Sequence, residues 1–180
     1  MERKLIIAGI GGQGVIFATK VLSQAGLMRG EHVLASENHG MSQRGGSVMS
    51  YVKIGGNQAP LIRRGTADAL IALDRVEAGR NLPFVRAEGC VCVNSSNGFE
   101  PAVMPRLSEL GIKVCLINAD AYARELGAPA VANLVVLGFA AAQDALGLTL
   151  EELKSAVQAL GPAKAAAMNL KALEAGAREP

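Results

Sequence analysis

Lys4-Leu5-Ile6-Ile7-Ala8-Gly9-Ile10-Gly11-Gly12-Gln13-Gly14-Val15-Ile16-Phe17-Ala18 sets a short apolar run against a cluster of glycines, and apolar residues at helical spacing then continue to Met28. A strand, a tight turn and a helix account for that order. Gly9, Gly11 and Gly14 fit the pattern G-x-G-x-x-G in the context that gives it physical meaning, since bare backbone N–H groups at a helix N-terminus favour an anion. With Gly12 and Gln13 they form a candidate phosphate turn. Glycines so placed would equally serve to let the helix pack close against the strand. Both readings stay open on this stretch alone.

The next apolar segment, Glu31 to Ser36, reads as a strand, and Glu37 at its end lies 23 positions beyond Gly14. A dinucleotide-binding fold keeps its ribose-binding acid at about that distance, so a free-standing NAD(P)-binding dehydrogenase is one reading. Glu37 also opens a second stretch, Glu37-Asn38-His39-Gly40-Met41-Ser42-Gln43-Arg44-Gly45-Gly46-Ser47, which precedes a strand from Val48 to Ile54. Two strands need far fewer residues to join them. His39, Ser42, Gln43 and Arg44 therefore mark a functional loop in preference to a solvated turn. Arg44 offers a planar fork of donors for a carboxylate or phosphate, and Gly45 and Gly46 allow close backbone approach. Glu37, His39 and Ser42 could be drawn as acid, base and nucleophile, but a loop is a poor holder of three groups at hydrogen-bond distance. The flanking strands lie too close in sequence for a crossover helix, so they are antiparallel or joined across a long excursion.

Strand and helix alternate through most of the remaining chain. Thr66 to Asp74 reads as a buried strand with Asp74 at its C-terminal end, where open α/β sheets hold ligands. A helix from Arg75 to Asn81, strands from Cys90 to Asn94 and Ile112 to Ile117, and a helix capped by Asn118 follow. From Pro129 onward the chain is helical. Val131 to Leu146 is apolar enough to be buried, Thr149-Leu150-Glu151-Glu152 is a capping box, and Pro162 opens an alanine-rich helix that could meet a partner subunit. The predicted fold class is α/β: a Rossmann-like, mainly parallel sheet with helices on both faces and a helical C-terminal region, in one domain spanning residues 1–180.

Composition excludes several functions. The formal charge is +2 and there is no Trp, with only four Phe and two Tyr, which leaves neither the basic patch nor the stacking rings of a nucleic-acid binder. Cys90, Cys92 and Cys115 stand in apolar strand-like segments and read as buried free thiols. Their spacing resembles neither an iron–sulfur run nor a zinc motif, so no metal is expected on this chain. No apolar segment is long enough to span a bilayer, and no signal-peptide pattern opens the chain, so the expected compartment is the cytoplasm. No Walker lysine follows the glycine turn, and no GDG-type motif for thiamine diphosphate and magnesium is present.

Taken together, Gly9 to Gly14, Glu37 to Ser47, Asn133 with Leu137-Gly138, and Lys164 to Gly176 resemble the gamma-type subunit or domain of the 2-oxoacid:ferredoxin oxidoreductases. Within that family the chain is most similar to the small (beta) subunit of the indolepyruvate enzymes. The resemblance covers essentially the whole chain, and the run His39-Gly40-Met41-Ser42-Gln43-Arg44-Gly45-Gly46 is its most specific part. It implies oxidative decarboxylation of a 2-oxoacid with coenzyme A to an acyl-CoA, with electrons passed to ferredoxin. It also implies a large (alpha) partner subunit that carries thiamine diphosphate, Mg and the iron–sulfur clusters, leaving this chain without a cofactor and inactive alone. Glu37 then belongs to the signature loop, and no nicotinamide is carried over. Two alternatives remain: the free-standing NAD(P)-binding dehydrogenase and a non-catalytic scaffold subunit.

Overall fold

The computed structural model describes residues 2–40, 45–56, 59–161 and 163–179, without the side chains of His39, Ala163 and Lys164. Strand β1 (Arg3–Ile10) leads directly into the glycine turn and helix α1 (Val15–Met28). Leu5, Ile6, Ile7 and Ala8 are all fully buried, as expected for a central strand covered on both faces. The next two strands, β2 (Val33–His39) and β3 (Ser47–Ile54), form an antiparallel hairpin, and β3 also runs antiparallel to β1. Beyond β1 come β4 (Ala67–Ala72), β5 (Val85–Asn94) and β6 (Lys113–Ile117), each parallel to its neighbour. The sheet order is β2-β3-β1-β4-β5-β6.

The helices divide unequally between the faces. With α2 (Arg75–Asn81) and α3 (Met104–Glu109), residues such as Ala78 and Leu107 build the core on one side. The larger core on the other side takes α1 together with α4 (Ala119–Glu125), α5 (Ala132–Ala142), α6 (Leu150–Leu160) and α7 (Ala163–Ala177). Asn118 caps α4 through its side chain, and Thr149 with Glu152 forms the capping box of α6. The small residues of α7 face α5 of the same chain. A Cβ on Gly138 would lie 1.9 Å from the Leu173 carbonyl oxygen, and one on Gly176 equally close to that of Val135. Pro162, expected to open this helix, lies outside the described residues.

The structure departs from the sequence reading at four places. β2 continues through Glu37, Asn38 and His39, which pair with Ser50, Met49 and Val48. Ladder bonds hold these residues extended whatever their side chains prefer. β5 begins at Val85 rather than Cys90, with an irregular register in which Ala67 pairs with Val85 and Ala69 with Cys90. Glu88 adopts φ 59° within this stretch. Helix α3 was not anticipated; Pro105 sits in its first turn, where the missing N–H costs no hydrogen bond. Asp74 is the N-cap of α2, its carboxylate accepting from the N–H groups of Val76 and Glu77.

Candidate functional site

The glycine turn is held in shape from several sides. Gln13 Oε1 accepts from the Ile10 N–H at 2.8 Å, and the Gln13 N–H returns to the Ile10 carbonyl at 3.0 Å. A Cβ at Gly9 would meet Gln13, Val15 and Leu73 at about 3 Å, so this glycine is required for packing. Gly12 and Gly14 have φ of 100° and 86°, a region L side chains avoid. Gly14 is the N-cap of α1 and brings no side chain to its free N–H groups. Asn133 Nδ2 donates to the Gly14 carbonyl at 3.1 Å, tying the turn to α5. The Asn133 motif position thus belongs to the architecture of the turn.

The turn is also fastened to the hairpin tip. The Gly11 N–H donates to the Gly46 carbonyl at 2.8 Å, while the Gly40 N–H donates to Ser47 at 2.9 Å to close the hairpin. Gly45 takes φ 73°. Two segments, joined through residues 35 positions apart, therefore share one surface at the edge where β1 ends. Register places Glu37 on the α1 side of the sheet, opposite Ser50. Ser42, Gln43 and Arg44 lie outside the described residues, as does Met41.

This arrangement differs from a dinucleotide site. In that fold the strand bearing the ribose acid lies beside β1, whereas here β3 separates β2 from β1. The Gly11 N–H, one of the donors a pyrophosphate would use, is already bonded to the hairpin.

Among the described residues, cavities border the shared surface on several sides. On the α1 side, a largely apolar cavity of about 410 Å³ is lined by residues that include Gly12, Gly14, Val15, Ile16, Phe17 and Val48, with Lys20 at its margin. On the opposite side, a smaller cavity of about 190 Å³ meets Asn38, Ser47, Glu77 and Arg80. Ser47 Oγ donates to Glu77 at 2.6 Å, and Arg80 pairs with the other carboxylate oxygen of Glu77. Glu77 is 2% exposed and was missed in the sequence, because an acid in the first turn of a short helix reads as dipole compensation. A third cavity, about 170 Å³, lies at the ends of β1 and β4 among Gly12, Gln13, Asn94, Asp120 and Asn133. There the chain leaves the sheet toward both sides, the usual ligand position in open α/β sheets. A larger cavity, about 600 Å³ and lined by Lys4, Lys53 and Arg63 among others, sits at the opposite sheet edge. We place the candidate site at the strand C-termini, because the glycine turn and hairpin tip meet there.

Comparison with known proteins identifies the architecture. Residues 4–179 match the family described as pyruvate ferredoxin/flavodoxin oxidoreductase. Indolepyruvate oxidoreductase subunit IorB of Archaeoglobus fulgidus is 32% identical, the alignment covering 98% of this chain and 94% of that one. The subunit of the same name from Methanothermobacter thermautotrophicus is also 32% identical, over 98% of this chain and 96% of its own. The gamma subunit of a keto/oxoacid ferredoxin oxidoreductase from Geobacter sulfurreducens superimposes with a TM-score of 0.77 at 25% identity, covering 97% and 95% of the two chains. The chain belongs to the pyruvate ferredoxin/flavodoxin oxidoreductase family.

Proposed function

We propose that this chain is the small subunit of a thiamine diphosphate-dependent 2-oxoacid:ferredoxin oxidoreductase whose substrate is indolepyruvate or a related aryl pyruvate. The assembled reaction converts the 2-oxoacid, coenzyme A and two oxidised ferredoxins into acyl-CoA, CO2, two reduced ferredoxins and a proton. The observation that carries the role of this chain is the Gly11–Gly46 bond, which presents the glycine turn and the signature hairpin as one surface. That surface docks on the large (alpha) subunit beside the thiamine diphosphate. Arg44 and the Gly45-Gly46 backbone hold the substrate carboxylate or the phosphates of coenzyme A. Lys20, at the margin of the adjoining apolar cavity, adds positive charge on the same side.

The cofactors belong to the partner in this reading. Mg²⁺ prefers oxygen ligands, whereas the only grouping of three potential metal ligands among the described residues is Cys90, Cys92 and Cys115. Three thiols also fall short of the usual four that hold an iron–sulfur cluster. When bound on the partner, thiamine diphosphate supplies the carbanion chemistry of decarboxylation. This chain's contribution is to position the acid and exclude water. No helix among the described residues is long and apolar enough to cross a membrane, and the proposed compartment is the cytoplasm.

Co-expression with the large subunit and anaerobic viologen reduction, omitting indolepyruvate, coenzyme A or either chain in turn, tests the assignment. Activity should require all four. Replacing Arg44 by Ala in the assembled complex should raise KM for the 2-oxoacid or coenzyme A by roughly 10- to 100-fold, the value of a charge-assisted hydrogen bond. Unchanged KM for both would remove Arg44 from the site. Loss of assembly, with normal KM in any assembled fraction, would instead indicate a scaffold. NADH fluorescence changing on titration with the isolated chain would favour the dehydrogenase reading.

A further inference from the structure

The sheet register brings together three thiols that the sequence spreads over 26 positions. Cys92 and Cys115 are partners in the β5–β6 ladder, and Cys90 pairs with Lys113 one step earlier on the same face. Cys92 and Cys115 belong to the core under α5, with the half-buried Cys90 packed against them. The Sγ atoms all lie within 4.8 Å of one another. Gln143, which ends α5, brings its Oε1 to 3.6 Å from Cys115 Sγ. A fourth donor therefore lies beside Cys115, one of the three sulfurs.

We propose that Cys90, Cys92, Cys115 and the Gln143 side-chain oxygen form a four-coordinate site for a thiophilic divalent cation, with zinc as the best match. Zinc–sulfur bonds of about 2.3 Å and zinc–oxygen bonds of about 2.1 Å set tetrahedral ligand separations of about 3.8 Å for S···S and about 3.6 Å for S···O. Cys90 and Cys92 already stand 3.9 Å apart, and Cys115 and Gln143 3.6 Å. The remaining sulfur separations are no more than 4.8 Å, about 1 Å above the tetrahedral value. Three thiolates around a divalent ion leave one negative charge, which the Lys113 ammonium opposite Cys90 compensates. Soft sulfur ligands select zinc over the hard cations Mg²⁺ and Ca²⁺.

On binding, the metal ion takes the place of the thiol protons, which pass to solvent. The site lies away from the glycine turn and needs no partner subunit, so its test is independent of the proposed function.

The full-length chain, reduced, stripped of metal and kept anaerobic, is titrated with Zn²⁺ against a chromophoric chelator and separately with Co²⁺. We expect one ion per chain, with thiolate-to-cobalt charge-transfer bands and the strong d–d absorption of tetrahedral cobalt. Cys90→Ser, at a half-buried position that tolerates a hydroxyl, should keep the far-ultraviolet circular dichroism and weaken Zn²⁺ at least about 100-fold, whereas Gln143→Ala should weaken it roughly tenfold. Substoichiometric uptake by the wild-type chain would overturn the proposal. Equal affinity after Cys90→Ser would also overturn it, as would octahedral cobalt spectra.

Discussion

At the scale of single residues, the glycines of this chain do different work that their shared chemistry conceals. Gly138 is needed because a Cβ would strike the backbone of α7, which cannot give as a flexible side chain can. Gly12 has open space around it and only its φ of 100° against substitution. Gly138→Ala should therefore cost about 3 kcal/mol or more through overpacking, and Gly12→Ala only about 1–2 kcal/mol through backbone conformation. Denaturant unfolding of both variants measures the difference; equal losses would mean that the helices part without resistance. The sequence showed that the first glycine cluster mattered. It could not divide the cluster into Gly9 for packing, Gly14 for the α1 entry and Gly11 for the bond to the hairpin. Those roles depend on Leu73, Asn133 and Gly46, none of which is local.

At the scale of elements, legibility followed the locality of the signal. The bounds of α1 and α2 were read correctly because apolar spacing and flanking residues suffice, and the Thr149–Glu152 capping box is contained in four residues. Thr149→Ala should lower stability by about 0.5–2 kcal/mol, with the loss confined to α6 in residue-resolved hydrogen exchange if the cap acts locally. A uniform loss of protection would refute local action. The end of β2 was hidden because Glu37, Asn38 and His39 look like loop residues until their ladder with β3 is known. The thiol grouping was hidden for a related reason: Cys90 and Cys92 announce a shared face, but Cys115 joins them only through the β5–β6 register. Of the candidate site, the sequence proposed two segments but gave no sign of the Gly11–Gly46 bond that fastens them. Glu77 was also illegible, since its partner Ser47 lies 30 residues away.

For the whole molecule, the unequal distribution of helices determines what can be removed. Residues Asn133 to Ala140 of α5 are all buried, enclosed by the sheet and neighbouring helices. The C-terminal helix α7 is a wall of that enclosure and is tied to α4 where the Tyr122 hydroxyl donates to Glu179. Deleting residues 163–180 would expose an apolar helix that has no polar face to turn toward water. The truncated chain should lose its cooperative unfolding transition and bind a hydrophobic dye. A sharp melt in the truncated chain would show that α7 is an accessory to the fold. The family match extends to residue 179, in agreement with a C-terminal region that is integral to the unit.

The bond between Gly11 and Gly46 also makes a single peptide proton into a clock. Its exchange with deuterium requires the hairpin to lift away from the turn, so the rate counts those excursions in the free chain. A large subunit seated across both segments would slow the clock; one that pried them apart would speed it, and the direction alone would tell clamping from opening.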